Sequence, residues 1–163
     1  MGVTNTAYLL TGGNLGNRKQ NLDAARRAIG ETCGEILSVS SLYETAAWGK
    51  KDQPPFLNQA LKIRTALQPT ELLYQILLIE RQMGRQRKEK YGARIIDIDI
   101  LFYNKVQIIS AELRVPHPEI QNRRFALIPL KEIAPRLIHP IFKKTIGTLL
   151  KECKDPLEVR RLD

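Results

Sequence analysis

The chain has 163 residues, of which 43% are hydrophobic and 26% charged, a balance typical of a globular protein with one domain. Its net charge of +9 favours an anionic partner, whether a phosphate ligand, a nucleic acid or a membrane surface. No apolar run is long enough to span a membrane, and the N-terminus lacks a signal-peptide pattern, so we expect a single cytoplasmic domain over residues 1–163.

The segment before residue 66 predicts a strand, a helix and two further strands. Residues 7–11 predict a short strand that ends at Gly12 and Gly13, and residues 18–29 predict a helix with apolar side chains at helical spacing. β-branched and aromatic residues predict a strand at 36–43, followed by a loop with Gly and Pro at 44–55. Residues 57–65 alternate between apolar and polar side chains, which predicts a strand that pairs with the preceding one.

The remaining elements complete a recognisable order. A helix begins at Pro69 and ends at Gly84, and the clearest strand of the chain covers residues 96–103. Beyond it we expect a small hairpin at 106–113, a Pro-rich turn at 115–118, and helices at 125–133 and 145–151. The order β-α-β-β-α-β with a C-terminal extension predicts an α+β protein of the ferredoxin-like class, with a mainly antiparallel sheet and helices on one face.

Two carboxylates occupy this clearest strand. Because strand side chains alternate, Asp97 and Asp99 share a face with Cα atoms roughly 6.5–7 Å apart. The apolar residues expected on the opposite face are Ile96, Ile98, Ile100 and Phe102. Two adjacent anions repel each other, and a cation between them removes that cost; carboxylate oxygens without nearby His or Cys favour Mg²⁺ over zinc.

A basic segment precedes the two carboxylates. Residues 81–94 contain six Lys or Arg residues and one Glu, with Gly84 and Gly92 near the ends and Tyr91 between them. Such a segment suits a lid that closes over phosphates, in which Arg85 and Arg87 make bidentate contacts and Lys88 adds a point charge. A solvated charged surface is the alternative. The nearby Asp pair favours the lid, since Mg²⁺ with Arg and Lys is the usual equipment for polyphosphate transfer.

Three weaker signals stay open at this point. Residues 12–16 form a Gly-rich segment that matches neither dinucleotide-binding nor P-loop patterns. His117 lies between two prolines, where a structural role is more common than catalysis. Glu80 lies close to the apolar stripe of its helix, which fits a ligand contact or a helix-edge ion pair equally well.

Residues 90–101, KYGARIIDIDIL, closely resemble the signature of the 6-hydroxymethyl-7,8-dihydropterin pyrophosphokinase family. Other blocks agree in order along the chain: GGNL at 12–15, SSLYET at 40–45, DQPPFLN at 52–58, VPH at 115–117, and EIAP at 132–135. The resemblance extends from about residue 8 to residue 140. It implies a ferredoxin-like fold and transfer of pyrophosphate from ATP to the hydroxymethyl group of a dihydropterin, in folate biosynthesis.

The resemblance also implies roles for individual residues. Asp97 and Asp99 would hold two Mg²⁺ ions that bridge the ATP phosphates, and Arg85 and Arg94 would grip phosphates as catalytic residues. The residues implied to contact ATP are Glu80, Arg87, Lys88, Tyr91, Ile100, His117 and Arg123. Those implied to bind the pterin are Thr45, Ala46, Trp48, Phe56, Asn58 and Phe125, with the two phenylalanines on either side of the ring. The family is typically monomeric, so we expect a monomer that binds neither nucleic acid nor membrane.

Two other functions remain as alternatives. Ferredoxin-like sheets with a basic surface also occur in RNA-binding modules, but this chain has no aromatic RNP-type strand. A non-catalytic nucleotide- or pterin-binding homologue is the second alternative. Retention of Asp97, Asp99 and the basic segment argues for the enzyme.

Overall fold

The computed structural model describes residues 4–47, 52–85 and 92–162. Its elements in chain order are β1 (Asn5–Gly13), α1 (Arg18–Thr32), β2 (Glu35–Val39), β3 (Leu42–Thr45), β4 (Phe56–Thr65), α2 (Pro69–Gln82), β5 (Asp97–Tyr103), β6 (Ile108–Ile109), β7 (Arg114–Val115), α3 (Arg124–Ile133), α4 (Ile146–Glu152) and β8 (Val159–Leu162). A short 3-10 helix, Ile120–Asn122, precedes α3. Within these ranges, no helix combines the length and apolarity needed to cross a membrane.

The main sheet has the strand order β5-β1-β4-β3-β8, with β2 also paired to β4. Every strand pair described is antiparallel, and β1 and β4 pair over their full length from Asn5 opposite Thr65 to Gly13 opposite Leu57. The pairing of β3 with β4 is the hairpin with a long connection that the alternating pattern predicts. The predicted α+β fold with an antiparallel sheet is therefore confirmed.

Helices cover both faces of this sheet. On one face, Leu9 of β1 and Leu61 of β4 pack in a cluster with residues of α1 and α2. On the other face, Leu10 and Ala60 from the same two strands pack in a second cluster with residues of α3 and α4. The β-α-β-β-α-β unit thus carries its helices on one face as expected, and the C-terminal extension supplies the second layer.

The predicted strand at 36–43 is wrong in extent, because it is two strands with a break at Ser40 and Ser41. The backbone N–H of Ser41 donates to the Glu132 carboxylate, at 3.0 and 3.1 Å from its two oxygens. The Tyr43 hydroxyl donates to the same carboxylate at 2.5 Å. Glu132 on α3, far away in the sequence, therefore accepts the hydrogen bond that the Ser41 N–H would donate within a continuous strand.

Gly12 and Gly13 are the last two residues of β1, so the strand ends two residues later than the predicted strand at 7–11. A Cβ on Gly13 would lie 2.2 Å from the backbone oxygen of Ile95, and a Cβ on Gly12 would lie 2.2 Å from Asn58 Nδ2. These two positions need glycine because other parts of the chain approach the strand closely, not because the backbone turns.

Strand β5 contains a bulge that the alternating pattern does not reveal. Tyr8 of β1 is opposite Phe102 and Leu9 is opposite Ile100, so Leu101 is the extra residue. Phe102 consequently lies in the cluster beside α3 and α4, on the face of the two aspartates. The expectation that it joins Ile98 and Ile100 on the opposite face is wrong, because a bulge reverses the alternation that follows it.

Two smaller differences concern the C-terminal half. The hairpin expected at 106–113 is formed by β6 and β7, so its second strand lies two residues later and includes Val115 of the expected turn. Strand β8 was not predicted. It pairs with β3 along the outer edge of the sheet, from Leu162 opposite Leu42 to Val159 opposite Thr45.

Candidate active site

A cleft opens on the sheet face that α3 and α4 cover, with about 620 Å³ of empty space including the solvent at its mouth. Its lining residues are Leu10, Gly12, Thr45, Ala46, Phe56, Asn58, Arg94, Asp97, Asp99, Arg123 and Phe125. All of these except Leu10 and Gly12 are site residues that the sequence predicted. Several elements meet at this cleft: strands β1 and β4, the end of β3, the start of β5 and the first turn of α3.

Asp97 is held by two guanidinium groups. Arg85 Nη1 lies 2.5 Å from one carboxylate oxygen, and Arg94 Nη1 lies 3.0 Å from the other. Burial alone would raise the pKa of Asp97, but the two arginines outweigh it and lower the pKa below its usual range. Asp97 is therefore ionised, with positive groups on both sides.

Asp99 faces the same cleft in a less favourable environment. Burial, and secondarily the charge of Asp97, raise its pKa to about 8, against the opposing charge of Arg123. A divalent cation between the two carboxylates would offset both effects by stabilising the ionised form. Among the described residues, no group of three or more His, Cys, Asp or Glu could hold a metal alone. Two carboxylates completed by phosphate and water oxygens fit Mg²⁺, which seldom binds in an all-protein cage.

Glu80 and Ile100 lie outside the lining of this cleft. The Glu80 side chain is only 4% exposed; its carboxylate accepts from the backbone N–H of Ile98 at 2.7 Å and lies 3.3 Å from Arg85 Nη1. Glu80 is therefore an ion-pair partner of Arg85 and not part of the cleft lining. The Ile100 side chain packs in the cluster beside α1 and α2, so only its backbone could reach a nucleotide.

Two phenylalanines form a second part of the cleft lining, here called the aromatic end. Phe56 begins β4 and Phe125 lies in the first turn of α3, and both line the cleft. Each ring carries a guanidinium near its face: Arg94 lies 5.0 Å from the Phe56 centroid and Arg123 lies 5.7 Å from the Phe125 centroid. The arrangement offers apolar faces to a flat ring next to cations that suit phosphates.

Asn58 brings the polar group of this aromatic end. The residue is 5% exposed and its Nδ2 donates to the Thr11 carbonyl at 3.4 Å. No donor among the described residues bonds its Oδ1. A buried acceptor without a partner is costly, so this oxygen is placed to accept a hydrogen bond from a ligand.

Asn14 is a site-building residue that sequence reasoning passed over. Its Oδ1 accepts from the backbone N–H of Arg94 at 2.8 Å, and its Nδ2 donates to Gln53 Oε1 and the Pro54 carbonyl, both at 3.0 Å. One buried side chain thus joins the end of β1, the segment before β4 and the segment before β5. The Gly-Gly-Asn block was its only signal in the sequence.

The part of the cleft that carries Asp97 and Asp99 is here called the carboxylate end. Arg123 acts electrostatically on Asp99 there, and the charge of Asp97 acts on His117. The backbone N–H of His117 donates to the Leu101 carbonyl at 3.0 Å, and its Nδ1 accepts from the Glu119 N–H at 3.1 Å. Burial, and secondarily the charge of Arg123, lower the His117 pKa to about 4. The ring is therefore neutral near pH 7, and its remaining proton is on Nε2. Trp48, Arg87, Lys88 and Tyr91, with most of the expected lid, lie outside the described residues.

The cleft of this ferredoxin-like sheet joins a carboxylate pair, several arginines and two aromatic rings. This combination defines a class of phosphate-transferring proteins that act on a flat ring. A sequence profile described as 7,8-dihydro-6-hydroxymethylpterin-pyrophosphokinase matches residues 8–135. The chain belongs to this family.

Relatives named as this enzyme cover most of the chain. The chain is 43% identical to 2-amino-4-hydroxy-6-hydroxymethyldihydropteridine pyrophosphokinase of Aquifex aeolicus, over 86% of this chain and 88% of that protein. It is 37% identical to the Haemophilus influenzae protein of the same name, over 92% and 94% of the two chains. Among solved structures, Plasmodium falciparum HPPK-DHPS with pterin and p-hydroxybenzoate matches with a TM-score of 0.78 at 21% identity, which shows a common fold. This chain spans 43% of that longer chain.

Proposed function

We propose that this chain transfers the pyrophosphoryl group of ATP to 6-hydroxymethyl-7,8-dihydropterin, a step of folate biosynthesis. The observation that carries the proposal is one cleft lined by Asp97 and Asp99 with arginines and also by Phe56, Phe125 and Asn58. Asn58 Oδ1 has no hydrogen-bond partner among the described residues. Family membership gives the reaction class, and the cleft supplies a place for each substrate.

The aromatic end would bind the pterin. Phe56 and Phe125 would stack on the two faces of the ring, and Asn58 Oδ1 would accept a hydrogen bond from the N–H groups along its edge. Thr45 and Ala46 line the same end and would contribute backbone contacts, as would Trp48. In this proposal the hydroxymethyl group of the pterin faces the carboxylate end.

The carboxylate end would bind the triphosphate. When bound, Mg²⁺ held by Asp97 and Asp99 neutralises charge on the phosphates, and we propose two such ions. Arg85 and Arg94, which now lie against Asp97, would turn part of their hydrogen bonding to phosphate oxygens. Arg123 and the Nε2–H of His117 would add donors, and Arg87, Lys88 and Tyr91 would close over the nucleotide.

The reaction that this arrangement supports is an in-line displacement. The hydroxymethyl oxygen attacks the β-phosphorus of ATP, forms the new O–P bond and loses its proton. The bond from that phosphorus to the oxygen that bridges to the α-phosphate breaks, and AMP leaves. Catalysis then rests on positioning the two substrates and on stabilising charge with the arginines.

The two-sided helix packing bears on the RNA-binding alternative. RNA-binding modules of this fold stack bases on one open face of the sheet. Here α1 and α2 cover one face and α3 and α4 cover the other in the part of the chain that the structure describes. We propose a cytoplasmic monomer of one domain that acts on small molecules.

Identification of the nucleotide product tests the function. The full chain is incubated with Mg·ATP and 6-hydroxymethyl-7,8-dihydropterin, and nucleotides are separated by chromatography. We expect AMP, and Asp99→Asn should remove its formation. Glu112→Gln, which changes an exposed carboxylate that does not line the cleft, is the matched control and should leave AMP formation unchanged. ADP as the product, or AMP that persists in Asp99→Asn, contradicts the proposal.

A further inference from the structure

The C-terminal segment from Asp155 to Leu162, here called the strap, contacts both walls of the aromatic end of the cleft. It lies beyond the family match at residues 8–135. One wall is the end of β3, which carries Thr45 and Ala46. The other wall is the first turn of α3, which carries Phe125.

The first contact is at the N-terminus of α3. The N-cap residue of this helix, Arg123, makes no side-chain cap hydrogen bond. Instead, Asp155 Oδ2 accepts from the backbone N–H of Arg124 at 3.1 Å, and Asp155 Oδ1 accepts from the N–H of Leu157 at 3.0 Å. A carboxylate that is distant in sequence thus performs the capping function, and its charge also suits the positive end of the helix.

The second contact is along β3. Strand β8 pairs with β3 over its whole length, and the Thr45 hydroxyl donates to the Glu158 carbonyl at 2.9 Å. Arg160 lies 2.6 Å from the Glu44 carboxylate, which Arg18 of α1 also contacts at 2.7 Å. The wall that ends in Thr45 is therefore held from its outer side by the strap.

We propose that the strap sets the distance between the two walls, and that Asp155 is a positioning residue for pterin binding through Phe125. Asp155 does not line the cleft, so it acts only through the helix it caps. The inference rests on the proposed function, because it assigns the pterin to the aromatic end. It predicts that loss of the cap loosens the first turn of α3 and weakens the stacking contact.

A matched pair of cap deletions separates positioning from general stability. Asp155→Ala removes the cap of α3, and Thr145→Ala removes the cap of α4, where the Thr145 side chain accepts from the Thr148 N–H at 3.2 Å. Helix α4 contributes no residue to the cleft lining. Both variants should lose thermal stability, but only Asp155→Ala should raise the KM for pterin, by roughly 2- to 30-fold, the range to which loss of an N-cap converts.

Rescue and amide exchange complete the test. Asn keeps one acceptor oxygen where Asp has two, so Asp155→Asn can retain the hydrogen bond from the Arg124 N–H but not also the one from Leu157. Its pterin KM should therefore lie between those of wild type and Asp155→Ala. Hydrogen exchange should become faster at the Arg124 amide in Asp155→Ala and remain unchanged there in Thr145→Ala, whatever the enzymatic activity.

The inference is overturned if the two alanine variants have the same pterin KM, if Asp155→Asn has the same pterin KM as Asp155→Ala, or if Arg124 exchange is unaltered. A wild-type chain that produces no AMP would instead remove the proposed function. The amide exchange result would still decide whether Asp155 holds the first turn of α3.

Discussion

Replacing Gly12 with alanine should weaken pterin binding much more than ATP binding. A Cβ at this position would lie 2.2 Å from Asn58 Nδ2 and 3.3 Å from both Asn58 Cγ and the Leu57 carbonyl oxygen. Strand β1 is paired on both sides, so its backbone cannot move away. The Asn58 side chain must move instead, which breaks its hydrogen bond to Thr11 and takes its Oδ1 away from the ligand position.

The magnitude follows from the groups left without partners. A pterin N–H that loses its buried acceptor costs about 1–3 kcal/mol, which converts to an affinity loss of roughly 5- to 150-fold. The overpacked strand should also lose about 1–3 kcal/mol of folding free energy. The proposed ATP site is the carboxylate end of the cleft, so the affinity for Mg²⁺ with a non-hydrolysable ATP analogue should change less than about twofold.

Titration calorimetry with each ligand measures both affinities. Gly30→Ala makes the same chemical change in α1, where the nearest atom to the new Cβ is Ile36 Cδ1 at 3.6 Å, an ordinary contact. This control should bind both ligands like the wild type. Unchanged pterin affinity in Gly12→Ala refutes the assignment of Asn58, and an equal loss for both ligands would show that the substitution damages the fold instead of the pterin contact.

Three further changes probe other parts of the structure. Asp97→Asn should lower kcat by roughly 10²–10³-fold, the cost of removing one electrostatic contact to a transition state, and AMP release at near-normal rate would contradict the metal assignment. Phe125→Ala should raise the pterin Kd about tenfold or more, since an aromatic contact adds about 0.5–1.5 kcal/mol beyond area burial, while calorimetry shows little change for the nucleotide. Burial alone would raise the pKa of Glu132, but hydrogen bonds from Tyr43 and Ser41 outweigh burial and lower the pKa below 4.5. The ionised carboxylate therefore stabilises the fold above that pH. Denaturation of wild type and Glu132→Gln should therefore differ at pH 7 and converge as the pH falls below 4.5; a difference that is constant with pH would exclude this role.

The sequence predicted the chemical centre of the site on physical grounds. Alternation along a strand is enough to place Asp97 and Asp99 on one face, and both do line the cleft. The aromatic end was different, because Phe56 and Phe125 come from elements that lie far apart in the chain. Only the resemblance to a family brought them together in advance.

Features that depend on distant partners could not be predicted. Asn14 joins segments up to 80 residues away through one amide, and the Gly-Gly-Asn block that marks it in the sequence does not reveal those partners. Strand β8 has four residues and two of them are arginines, so it shows neither length nor a clear apolar face. The bulge at Leu101 is set by pairing with β1. It places Phe102 on the same face as the two aspartates, whereas simple alternation predicts the opposite face.

The two hydrophobic clusters are the opposite faces of the same strands, and this has a consequence for how the protein unfolds. Every residue of β1 from Ala7 to Gly13 is buried, and neighbours such as Leu9 and Leu10 belong to different clusters. Separating α3 and α4 from the sheet would expose one side of a strand whose other side still holds α1 and α2. The two layers therefore share a single melting transition, and spectroscopic probes on either side should report one midpoint. The amides of β1 should be the last to exchange with solvent, because they open only when the whole molecule does.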